Sequence, residues 1–138
     1  MNQEFNFNIT EKISFIARKN SHLSDLEKYQ NKYPSLSLYT ASFLFEFEGK
    51  KIIYTSDIGS EGDLLLFNEI RPDIFISEVT HISHLTILEK IKSIKPAMTY
   101  LTHYSDDDVP ALSEILTNLQ NDLKEKVILA VDGASFDF

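Results

Sequence analysis

Residues 42–57, SFLFEFEGKKIIYTSD, constrain the fold more tightly than any other stretch. Phe43, Phe45 and Phe47 alternate with Ser42, Leu44, Glu46 and Glu48, the period-two pattern of a half-buried strand. Gly49 supplies a turn, and Ile52 and Ile53 begin a return strand that runs out at Asp57. Beyond this hairpin the pattern switches to an alternation of helix and strand. EGDLLLFNEI reads as a helix closed by Pro72, and DIFISEV as a strand. LTILEKIKSI carries Ile87, Leu88, Ile91 and Ile94 at helical spacing, and Pro96 ends it. AMTYLTHY is a strand. DVPALSEILTNLQNDL sets Leu112, Ile115, Leu116, Leu119 and Leu123 on one helical face, with Asp107 and Asp108 as caps and Pro110 in the first turn. KVILAVDG is a further strand, and ASFDF is a candidate for one more. A hairpin followed by alternating helices and strands predicts a mixed α/β layer, not a bundle or a sandwich of meanders.

Residues 1–40 are the least regular part. ISFIARK, residues 13–19, reads as a strand, and the polar segment after it as a loop with a short helix stopped by Pro34. The 138 residues show no repeat, low-complexity tract or Gly/Ser linker, so a single domain over 1–138 is expected. With 43% hydrophobic and 25% charged residues, the composition is that of a chain that can bury a core.

Charge narrows the partners. The net charge is −8, and the basic residues are spread over a turn (Lys50, Lys51), one helix (Lys90, Lys92, Lys95) and the last segment (Lys124, Lys126). That pattern reads as solvated faces. It argues against nucleic acid, which demands a basic stripe to neutralise phosphates. No apolar run is long enough to span a bilayer, and the N-terminus lacks the basic start and apolar stretch of a secretory signal. The chain has no cysteine, hence neither disulfides nor thiolate ligands, which fits a cytoplasmic location.

The chemistry-bearing residues gather at predicted strand exits. Asp57, Glu78 and His103 each follow an apolar strand, and in mixed sheets ligands collect beyond the carboxyl ends of strands. His81 and His84 follow the same exit as Glu78, and His22 follows the strand at 13–19. Imidazole and carboxylate suit zinc, manganese or iron. Against this stands the plainer reading, in which an aspartate after a strand caps a turn and each histidine is a packed or surface residue.

From residue 42 to residue 138 the order of motifs resembles the C-terminal half of the metallo-β-lactamase superfamily, in the branch of ribonuclease Z and related phosphodiesterases. TSDIG is similar to the family's G-D-T-G motif, with Ser56 and Ile58 departing from it, and the resemblance implies that Asp57 bridges two metals. SEVT stands where the family has H-E-A-T, with Ser77 in place of the histidine. HLT resembles H-S-T and gives His84 a catalytic role as proton donor. LTHYS resembles L-T-H-F-S and makes His103 a metal ligand, and His22 matches more loosely a ligand that precedes the hairpin. His81 matches no family position and is expected apart from the site and more exposed. The ending VILAVDGASFDF is also similar. The implied fold is half of an αββα sandwich, a mixed sheet with helices on one face. The implied cofactor is zinc or manganese, and the implied substrate a small phosphoester.

The family's H-x-H-x-D-H signature is absent, together with the half of the fold that carries it. Asp57, His103 and His22 make three ligands at most, fewer than a two-metal hydrolytic centre requires. A lone half would also expose the inner sheet face, rich in Phe43, Phe45, Phe47, Ile52 and Ile74. A homodimer, a separate N-terminal half, or residues 1–40 folded as a lid would each cover it, the first two being favoured. Two functions therefore stand: a metal-dependent hydrolase, or its C-terminal piece, inactive as a lone chain; and a non-catalytic remnant serving as a binding or assembly module.

Overall fold

The computed structural model describes residues 4–119, 123 and 126–137. Seven strands form one sheet in sequence order: β1 (Glu4–Thr10), β2 (Ile13–Lys19), β3 (Ala41–Phe47), β4 (Lys50–Tyr54), β5 (Ile74–Glu78), β6 (Met98–Thr102) and β7 (Val127–Leu129). β1 to β4 pair antiparallel, and β4 to β7 pair parallel. The β3–β4 turn is the tight one the alternation predicts. Phe47 pairs with Lys50, and Glu48 (φ 48°) and Gly49 (φ 83°) both take the left-handed conformation of a two-residue hairpin loop. The parallel strands need crossovers. These are a 3-10 turn at Glu61–Leu65, helix α1 (His84–Ile94) and helix α2 (Val109–Thr117).

All three crossovers cover the same face. Leu64 and Phe67, Ile87, Leu88 and Ile91 of α1, and Leu112 of α2 form one core with Leu44, Ile53, Phe75, Leu101 and Val127 of the sheet. The other face carries the alternate residues and, among the described residues, no helix. Its aromatic rings run across neighbouring strands: Phe7 stacks on Phe15 at 4.6 Å, Phe43 lies 5.9 Å from Phe45, and Tyr54 lies 6.4 Å from Phe43.

Three sequence expectations change. Residues 4–19 are a β-hairpin that widens the sheet, whereas residues 20–40 are irregular, with one 3-10 turn at Ser24–Tyr29 as the sequence suggests. The missed strand β1 carries its own period-two signal, Phe5, Phe7 and Ile9 against Asn6 and Asn8. EGDLLLFNEI forms only a 3-10 turn, because Ser60 and Asp63 close a capping box around one turn and the chain soon enters Arg71–Pro72. Of ASFDF, the described residues 134–137 form no strand; the Phe136 ring instead rests 4.3 Å from Tyr100 on the uncovered face. Part of the predicted last helix lies outside the described residues.

Candidate functional site

The ends of β2, β4, β5 and β6 converge at one edge of the sheet. At this edge His103 Nδ1 lies 3.1 Å from Asp57 Oδ1, with both side chains about half exposed. Two residues here hold left-handed backbone without being glycine, Ser56 (φ 56°) just before Asp57 and His103 itself (φ 53°). Each such residue costs about 1 kcal/mol or more, a strain that surrounding contacts must offset.

Those contacts come from buried polar residues. Asn20, at the exit of β2, donates from Nδ2 to the carbonyl oxygens of Asp57 (3.0 Å) and Thr55 (3.4 Å), and its Oδ1 accepts from the His22 amide (3.2 Å). One side chain thereby fixes His22 relative to Asp57. The buried Asp63 carboxylate does the same from below. It accepts from the Ser21 amide and hydroxyl and from the amides of Gly59 and Ser60, at 2.6–3.1 Å. Thr80 Oγ1 donates to the His103 carbonyl and joins the β5 exit to the β6 exit.

Glu78 is the buried charge of the site, with its side chain only 2% exposed. Its carboxylate accepts from the Ile58 amide (3.1 Å), the Thr80 amide (2.6 Å), the His81 amide (3.1 Å) and His81 Nδ1 (2.8 Å). Burial favours the neutral acid, but these donors together outweigh it and hold the carboxyl below its ordinary range. The same bonds place His81. Its ring lies 4.8 Å from that of His22 and 5.9 Å from that of His103. His81 is thus inside the cluster, contrary to the sequence expectation; at 37% exposure it is less exposed than His103 at 53%, though more exposed than His22 and His84. The reason is local: the turn after β5 wraps round Glu78, and that turn carries His81 inward.

The three imidazoles share one feature. In each, an oxygen lies near Nδ1: Ile58 O for His22 (3.5 Å) and Glu78 for His81 (2.8 Å) as hydrogen bonds, and Asp57 for His103 (3.1 Å) as a close approach. Where Nδ1 is the donor in such a hydrogen bond, Nε2 is the ring nitrogen that keeps its lone pair, the orientation in which histidines act as ligands or bases. The set has the right chemistry for a transition metal but does not fit one as it stands. Among the described residues no three His, Asp or Glu side chains converge closely enough to hold an ion.

His84 has other surroundings. It is the first residue of α1, after the N-cap Ser83, and lines a tight apolar seam with Leu88, Leu112 and Leu116. Among the described residues no hydrogen bond joins it to Asp57, His103 or His81. The structure therefore brings together Asp57, His103 and His22, adds Glu78 and His81, and sets His84 against α2. Asn20 and Asp63, which hold the site together, carry no sequence signal beyond polarity in a loop.

Comparison with known proteins bears on the fold. A protein of Parabacteroides distasonis assigned as a metal-dependent hydrolase superposes with a TM-score of 0.63 at 13% identity, over 94% of this chain and 56% of that one. An isothiocyanate hydrolase from Delia radicum gut bacteria superposes with a TM-score of 0.65 at 11% identity, over 96% of this chain and 57% of that one. The chain shares their fold. It spans a little over half the length of either protein. No known family profile matches the sequence, and no curated protein does. Among the described residues no helix is long and apolar enough to cross a membrane.

Proposed function

We propose that this chain is one half of a metal-dependent hydrolase of the metallo-β-lactamase type, cleaving phosphodiesters or related esters, and inactive by itself. The observation that carries the reading is the Asp57–His103 pair, two residues from different strand exits held 3.1 Å apart beside two further imidazoles. The shared fold supports it, as does the length of the structural neighbours, which leaves room for a second half of similar size. A bound zinc or manganese ion would supply Lewis acidity and a nucleophilic water. Asp57 and His103 would offer it two donors, His22 a third only if the other half draws these loops together, and the remaining donors would come from that half. His81, fixed by Glu78, stands where a proton can be exchanged with a group bound at this edge, and we assign it the proton-handling role in preference to His84. The aromatic sheet face would be covered in the same assembly, by a separate N-terminal half or by a second copy.

The test is hydrolysis of bis(p-nitrophenyl) phosphate with added zinc or manganese. The lone chain should be inert. Co-expression with an N-terminal segment carrying H-x-H-x-D-H should give turnover that Asp57→Ala abolishes. Metal-dependent turnover by the lone chain, lost in Asp57→Ala, would overturn the half-site reading. A second reading, a non-catalytic binding or assembly module, draws on the incomplete donor set. It predicts a stable complex with the N-terminal segment and no turnover.

A further inference from the structure

A cavity of about 320 Å³ opens at the end of the sheet opposite the histidines. Its walls come from the beginnings of strands and the end of α1. Arg71 precedes β5, Lys92 and Lys95 close α1, Lys126 precedes β7, Ile91 supplies an apolar wall, and Thr99 lies near the start of β6. Four cations from three separated segments thus meet in a chain whose net charge is −8. The sequence pattern reads these lysines as solvated faces; the fold gathers them.

Part of this has a purely structural cause. The left-handed Lys95 ends α1, and Arg71 Nε donates to its carbonyl at 3.0 Å, so positive charge complements the free carbonyls of a helix C-terminus. Lys126 likewise follows helical Leu123, to whose carbonyl its amide donates at 2.9 Å, but that account does not reach Thr99. Thr99 is wholly buried, and its Oγ1 is the buried side-chain oxygen that lacks a hydrogen-bond partner among the described residues. An unsatisfied buried hydroxyl is uncommon enough to call for a ligand or another cause. Among the described residues, moreover, no carboxylate forms an ion pair with Arg71, Lys92, Lys95 or Lys126.

We propose that this cavity binds a small molecule with an oxyanion headgroup, a carboxylate or phosphate monoester, on an apolar body. Arg71, Lys92, Lys95 and Lys126 attract and hold the headgroup, Thr99 Oγ1 donates to it, and the body lies along Ile91. The volume is within the range of small-molecule pockets, and cationic donors to an oxyanion form the stronger class of hydrogen bond. The site is separate from the histidine edge and does not depend on the proposed activity.

The experiment titrates the full chain, 15N-labelled and at low salt, with phenyl phosphate and with benzoate, using benzyl alcohol as the uncharged control. At least one anion should shift the amides of Ile91, Thr99 and Lys126 saturably and leave that of His103 in place, and benzyl alcohol should not. Whichever anion binds more tightly names the headgroup. Lys92→Gln with Lys95→Gln should weaken binding about tenfold or more, the scale expected for losing charge-assisted bonds. Thr99→Val keeps the volume and removes the orphan hydroxyl, so it should weaken binding severalfold without lowering the melting temperature. Absence of saturable shifts with both anions would overturn the proposal. So would shifts scattered over all lysines, or an affinity unchanged in both variants.

Discussion

Gly59 lies against Ser21 so closely that a Cβ on it would stand 2.4 Å from the Ser21 carbonyl oxygen. The contact joins the loop bearing His22 to the loop bearing Asp57, and Asp63 bonds to both sides of it. Backbone, not a flexible side-chain end, is what the added methyl would meet, so the two loops must part. Gly59→Ala should therefore destabilise by about 1–3 kcal/mol, the usual cost of overpacking, read as a lowered urea midpoint. His22 and Asp57 should also separate, which a changed His22 ring resonance would report. A midpoint equal to that of the parent chain would show that the loops are not held together here.

Asn20 makes the complementary link through hydrogen bonds. It is 4% exposed and bonds on one side to the carbonyls of Thr55 and Asp57 and on the other to the His22 amide. Asn20→Ala leaves the Asp57 carbonyl and the His22 amide without this partner, while the Thr55 carbonyl keeps the Ser42 hydroxyl; a polar group left stranded costs about 1–3 kcal/mol. Hydrogen exchange should show the His22 amide opening faster than in the parent chain, while amides of α1 and β6 keep their protection. Uniformly faster exchange would mean that Asn20 supports the whole fold and not this edge.

The aromatic face makes an independent prediction. Phe5 and Phe7 are each nearly half exposed, Tyr54 and Phe136 somewhat less, and among the described residues no helix covers them. If this face pairs with a second copy when no other half is present, light scattering should give a mass above the 15.8 kDa of one chain. Phe43→Glu or Phe45→Glu should return it to the monomer by putting charge into the contact. A clean monomer for the parent chain would leave the face to a different partner.

Much of the architecture was legible because it rests on local periodicity. The Phe43–Phe45–Phe47 alternation, Gly49 and the helical spacing through Ile87 and Ile91 each write their element directly into the order of residues. β1 has the same kind of signal but a softer one, since Asn6 and Asn8 are poor strand formers and the pairing with β2 supplies what propensity does not. The site was legible only in part. Asp57 and His103 could be grouped because both follow strands that end at one edge of a parallel pairing. His81 could not, since its place depends on the way the backbone turns back to satisfy Glu78, and that is settled by hydrogen bonding across the fold. The lysine cavity was hidden for the same reason: Arg71, Lys95 and Lys126 are distant in sequence and meet only when β5, β6 and β7 align.

Glu78 yields the prediction with a definite sign in pH. Its folded pKa is depressed, because bonds from Ile58, Thr80 and His81 outweigh the burial that would raise it. A group of this kind contributes stability above its unfolded pKa, about 4.3 for glutamate, and that contribution is lost as the pH falls through the unfolded value and on through the lower folded one. Glu78→Gln keeps the shape but removes the charge from those bonds, so it should cost about 1–3 kcal/mol near neutrality. Between about pH 5 and pH 3 the difference between parent and variant should shrink, because a protonated Glu78 is close to glutamine in what it can accept. The exposed acids Glu4 and Asp108, also depressed, titrate identically in both proteins and cancel in the comparison. Urea midpoints measured over that window decide the matter. A gap that stays constant would mean that Glu78 is not the ionised anchor of His81, and the proton-handling role given to that histidine would lose its support.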